Sequence, residues 1–97
     1  MSKAKANDER LIKRMLDESI RWLEDARQHP SNLNRDLYEL ARECANGAFK
    51  NHVVVMPVER REAIARKFMQ ACQDRFSIEV PRILASDAMS RKVEFVQ

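Results

Sequence analysis

The sequence predicts an all-α fold, a small bundle of helices, on three observations. Glycine occurs once and proline three times in 97 residues, which is poor in the turn chemistry an all-β chain needs. Leu, Ala, Met, Arg, Glu and Lys, the good helix formers, dominate the composition. Apolar residues also recur at three- and four-residue spacing through most of the chain. Ninety-seven residues leave room for one core, so residues 1–97 read as a single helical domain.

Residues 1–6 are polar and are expected to fray. Asn7 or Asp8 can cap a first helix, expected over residues 8–28, with Asp8 and Glu9 well placed in its first turn. Its apolar stripe is Leu11, Ile12, Met15, Leu16, Ser19, Trp22, Leu23 and Ala26. On its polar face Lys13 and Asp17, Arg14 and Glu18, Asp17 and Arg21, and Arg21 and Asp25 stand four apart, a spacing that supports a solvated helix. Between Asp8 and Arg27 there are five basic and six acidic residues, so this face is not a DNA-binding stripe.

His29–Pro30–Ser31–Asn32 ends that helix, because the residue before a proline avoids helical geometry. A second helix is expected over residues 33–50, starting at Leu33 or Arg35, with Leu33, Leu37, Leu40, Ala41, Cys44, Ala45 and Ala48 as its stripe. Gly47 either closes this helix in a left-handed conformation or sits inside it and lets another helix approach. Phe49 keeps the phase of the stripe, which favours continuation.

The β-branched run Val53–Val54–Val55–Met56 precedes Pro57 and is expected to be extended, as a buried linker or half of a minimal strand pairing. Pro57 suits the first turn of a third helix, where its missing N–H is harmless. That helix, expected over residues 57–76, carries Ile64, Ala65, Phe68, Cys72 and Phe76 on one side, with Arg60, Arg61, Arg66, Lys67 and Arg75 mainly on the other. Ser77–Val80 breaks the pattern, and Pro81 can open a short C-terminal helix over residues 81–90 bearing Ile83, Leu84, Ala88 and Met89. Residues 91–97 form an extended tail whose Val93–Glu94–Phe95–Val96 alternates like a strand, either pairing with Val53–Val55 or docking on a partner. Trp22, Leu37, Leu40, Ile64, Phe68 and Cys72 are expected near the centre of the core.

No catalytic signature is present, and the chain reads as a non-enzyme. His29 and His52 lie in separate connections and the cysteines have no CxxC spacing, so neither a metal nor another cofactor is expected. Cys44 and Cys72 fall on predicted apolar stripes and read as core thiols in a reducing compartment. Pairing Cys44 with His52 as nucleophile and base is the weaker reading. There is no run long enough for a transmembrane helix and no apolar segment behind the basic N-terminus, so a cytoplasmic protein is expected.

A net charge of +3 from 18 basic and 15 acidic residues is a mild bias toward anionic partners. Nucleic acid is a secondary expectation, through the basic residues of the 57–76 helix, whose five cations exceed its three acids by two. Protein–protein binding fits more features, since apolar segments at a proline-marked connection and at a chain end make docking strips. Pro81, Val93, Phe95 and Val96 are the candidate contacts, with Arg60 and Arg61 as electrostatic support. The X-Pro bonds at Pro30, Pro57 and Pro81 are further candidates for contact with a prolyl isomerase, Val80–Pro81 foremost.

The small size, the dense Lys/Arg/Glu mix, the opening MSKAKANDERLIKRML and the lack of an enzyme motif together resemble an early-region protein of a temperate bacteriophage. In length and helical character the chain is similar to the anti-RecBCD proteins of lambdoid phages. The resemblance spans the whole chain loosely and rests on no diagnostic motif. It implies a protein of the bacterial host cytoplasm that binds the RecBCD helicase–nuclease and alters its exonuclease activity, favouring phage recombination.

Overall fold

A computed structural model describes the backbone of residues 2–96 and the side chains of residues 7–86. Three helices carry the chain: α1 (Ser2–Arg27), α2 (Leu37–Val53) and α3 (Val58–Val96), with a 3-10 turn at Pro30–Asn32. There is no strand among the described residues. The helices run up, down and up, so α1 and α3 are parallel: Asp8 near the start of α1 meets Arg60 near the start of α3, and Glu24 near its end meets Arg82.

The core is where the stripes meet. Met15, Leu23, Ile64 and Val80 are fully enclosed, and Leu37, Leu40, Phe68, Cys72 and Phe76 are buried around them. Ser19 is buried at the same level and satisfies its hydroxyl by donating to the Met15 carbonyl at 2.7 Å, the usual arrangement for a serine inside a helix. Trp22, expected at the centre, is only half-buried. Its ring edge lies over Gly47, with Cζ3 3.2 Å from where a Cβ would stand. Gly47 is therefore the interior glycine that admits a neighbour, and α2 continues past it in ordinary helical geometry.

Each helix end departs from expectation for a local reason. α1 begins at Ser2 rather than near Asp8, and Asp8 lies inside it. At its far end Asn32 donates to the Ala26 carbonyl at 2.8 Å, closing one of the carbonyls a helix terminus leaves open. α2 starts at Leu37, not Leu33, because Asp36 acts as N-cap by accepting from the Tyr38 N–H at 2.9 Å. Leu33 is left half out in solvent.

The run Val53–Met56 is not extended. Val53 ends α2 and is buried, while Val54 and Val55 form the turn with 69% and 89% of their surface exposed. A single strand in an all-helical fold has nothing to pair with, so its backbone groups are satisfied by helix and turn instead. Pro57 precedes the first residue of α3, and its carbonyl accepts from the Arg61 N–H at 3.0 Å.

The expected break at Ser77–Val80 does not occur. α3 passes through Pro81 as one helix, so a separate 81–90 helix and an extended tail over 91–96 do not appear as elements of their own. Interior proline disfavours a helix by about 3 kcal/mol, but the packing on either side overrides it. Phe76, Val80 and Ile83 are buried one helical turn apart, and Glu79 is clamped by Arg75 at 3.5 Å and Arg82 at 2.9 Å.

Candidate surfaces for partner binding

Two kinds of surface emerge: an exposed charged seam, paired between two helices, and an apolar groove left open. The seam lies between α1 and α3. Asp8 accepts from Arg60 at 2.8 Å and from Lys67 at 3.4 Å, Asp17 faces Arg75 at 3.9 Å, and Glu24 accepts from Arg82 at 2.8 Å. The α3 cations recur at seven- and eight-residue spacing, which keeps them on the edge facing a parallel neighbour. Glu79 binds Arg75 and Arg82 from within α3, and the Arg82 hydrogen bond foremost holds its carboxyl below the ordinary carboxylate range. His52 and Glu18 join α2 to α1 at 2.9 Å.

This seam changes the meaning of the α3 arginines. Arg60 is engaged with Asp8, and Arg61 is half-buried with its Nε donating to the Met56 carbonyl at 2.9 Å, where it helps to shape the α2–α3 turn. Pro81 lies exposed on α3, about 30 Å along the helix from Arg61 at 1.5 Å per residue. The arginines and Pro81 therefore do not converge on one site. Val93 and Phe95, with Val96, belong to the last turns of α3, and their side chains lie outside the described residues.

The groove runs between α2 and α3 and has a volume of ≈ 630 Å³. α2 contributes Tyr38, Arg42, Ala45, Asn46 and Phe49. α3 contributes Ala65, Phe68, Met69, Cys72, Gln73 and Phe76. Phe49 and Phe68 stack across it with ring centroids 5.9 Å apart and planes within 14°, a separation typical of attractive aromatic pairs. Met69, with 62% of its surface exposed, and half-exposed Tyr38 rim an apolar interior. The sequence named the floor of this groove as core. The available signal was stripe width: Ala65, Phe68, Met69, Cys72 and Phe76 span more of α3 than contact with α1 alone requires.

Nucleophilic chemistry has no foothold at the cysteines. Burial pushes the Cys72 thiol up to about 12 and also raises Cys44, with Glu43 adding to the effect and Arg35 opposing it, and a thiol so placed is not a reactive thiolate at neutral pH. His52 bonds Glu18. Among the described residues no group of three or more His, Cys, Asp or Glu side chains could hold a metal ion. No helix among them is long and apolar enough to cross a membrane. Compared with known protein families, curated proteins and solved structures, the chain has no match in any of the three.

Proposed function

We propose that this protein is a non-enzymatic modulator that binds another protein, and that its target is a host protein acting on DNA. The observation that carries the first part is the division of its surface. Arg60, Lys67, Arg75 and Arg82 face acids of α1, while apolar side chains are left exposed along the α2–α3 groove and at the Val54–Val55 turn. Such a surface suits a protein partner better than a polyanion. The second part rests on the resemblance to the anti-RecBCD proteins, which makes the helicase–nuclease the first partner to test and altered exonuclease activity the expected effect. Pro81, Val93, Phe95 and Val96 remain the proposed contacts, and the α2–α3 groove is a further candidate surface.

Direct DNA binding through the basic residues of α3 is the alternative. It is disfavoured because contact with phosphates would compete with the ion pairs to Asp8 and Asp17. Prolyl isomerase contact belongs to the same proposal. Its better-placed sites are His29–Pro30 and Met56–Pro57, in connections with both prolines exposed, rather than Val80–Pro81 inside α3.

The experiment adds purified protein to RecBCD degrading linear duplex DNA, alongside a titration of the protein with the same DNA alone. Exonuclease activity that changes and saturates with added protein, without measurable affinity for DNA, is expected. Tight DNA binding whose logarithmic affinity falls linearly with the logarithm of salt would favour the alternative, through counterion release.

A further inference from the structure

α1 gives most of its acids to the bundle and keeps its cations for solvent. Of the six carboxylates between Asp8 and Arg27, Asp8, Asp17 and Glu24 face cations of α3, and Glu18 faces His52 of α2. The pairs that four-residue spacing favours within α1, Lys13 with Asp17, Arg14 with Glu18, and Arg21 with Asp17 or Asp25, do not form. Arg10, Lys13, Arg14 and Arg21 are exposed, and among the described residues no carboxylate stands within ion-pair distance of them. With Asp17 and Glu18 these four cations line one hollow of ≈ 300 Å³ on the outside of α1, on the side away from buried Met15, Ser19 and Leu23.

Within this face Arg10, Arg14, Asp17 and Arg21 form a straight row. Their spacing of four, three and four residues keeps them inside an arc of about 60° and along about 16 Å of the helix. It is the spacing with which one helix meets another lying beside it. The charges along the row read plus, plus, minus, plus. Asp17 keeps 46% of its side chain exposed with Arg75 3.9 Å away, so its negative charge belongs to the pattern offered to solvent.

We propose that this row docks an acidic helix of the protein partner proposed above, an assignment that rests on the protein-binding reading. That helix bears carboxylates opposite Arg10, Arg14 and Arg21 and a cation opposite Asp17. Complementarity of sign selects it over a nucleic-acid backbone: phosphates are uniformly negative, and one in register with the row would stand against Asp17. Exposed ion pairs contribute little one by one. The row therefore acts chiefly by steering the encounter and fixing its register, while the rest of the interface supplies affinity.

The test is a titration of the full chain at low salt, followed through amide chemical shifts. The probes are helical peptides of about 20 residues with three Glu and one Lys in the complementary order, one for each chain direction, a scrambled peptide of the same composition, and a short duplex DNA. One matched peptide is expected to shift the amides of residues 10–21 with Kd on the order of 1 mM or tighter, and to release as salt screens the charges. The scrambled peptide should bind about fivefold more weakly. Arg10→Glu combined with Arg14→Glu removes no internal partner, so it should keep the wild-type circular dichroism and urea midpoint while weakening the matched peptide about tenfold. Asp17→Asn separates the occupants: it should weaken the matched peptide about threefold, whereas it would strengthen a polyanion. Equal binding of matched and scrambled peptides, or no shift in residues 10–21, overturns the proposal. So does duplex DNA that binds more tightly than either matched peptide and gains from Asp17→Asn. RecBCD activity unchanged by the protein, with the matched peptide still bound, would sink only the functional proposal, so the two failures are distinguishable.

Discussion

Replacing Pro81 by alanine should stabilise the protein. A proline inside a helix lacks the N–H that would bond the carbonyl four residues back, here Ser77, and its ring crowds that carbonyl. Against alanine the interior position is about 3 kcal/mol less favourable. Alanine also frees the unfolded chain, which takes back up to about 1 kcal/mol. The Pro81 side chain is exposed, so little packing is lost, and the net gain is about 2 kcal/mol. In urea, with a slope of about 1.5 kcal/mol/M, the midpoint should rise by about 1.3 M, and the melting temperature by about 10 °C. Equilibrium unfolding followed by far-ultraviolet circular dichroism reads both. An unchanged or lower midpoint would refute the reasoning and mean that the chain leaves helical geometry before Pro81.

Other perturbations probe the remaining joints. Phe68→Ala removes a buried ring stacked on Phe49 and should cost about 3–5 kcal/mol, a large part of a small domain's stability; a wild-type urea midpoint would show that Phe68 is not core. Gly47→Leu drives a side chain into the Trp22 ring, whose Cζ3 is 3.2 Å from the Cβ position. It should cost about 1–3 kcal/mol and shift Trp22 emission, and unchanged emission would contradict that contact. Glu79 has its folded-state value lowered chiefly by the Arg82 hydrogen bond, so its contribution is present above the unfolded carboxylate range and is lost as pH falls through the lower folded value. Acid titration of stability should therefore be shallower in Glu79→Gln than in wild type, and coincident curves would count against the clamp.

The fold class and the three helix cores were legible because buried faces leave a periodic trace: Met15, Leu23, Leu40, Ile64 and Phe68 all stand on stripes readable in the sequence. What escaped was decided by contacts distant in the chain. Pro81 carries a local signal for a break, and only the burial of Phe76, Val80 and Ile83 with the Glu79 ion pairs outweighs it. Val53–Met56 has strand-like residues and no strand to join. Asp8 reads as a helix cap, and its role as the acceptor for Arg60 and Lys67 depends on residues 52 and 59 positions away. The groove was concealed because its floor, Phe68 and Cys72, has the same apolar character as core.

The seam between α1 and α3 also bears on the order in which the molecule is assembled. Its ion pairs join residues 52 to 59 positions apart, whereas α1 and α2 face each other across a short connection. Contacts near in sequence close faster than distant ones, so we expect the α1–α2 hairpin to gather first and α3 to be laid onto it afterwards, guided by Asp8, Asp17 and Glu24. During synthesis those three carboxylates emerge before any of the cations that will face them. The edge of α1 that faces α3 thus presents its three carboxylates first, and α3 brings the cations that read them. Amide exchange during refolding would show this as protection of α1 and α2 ahead of α3; simultaneous protection of all three would assign the seam to the first step instead.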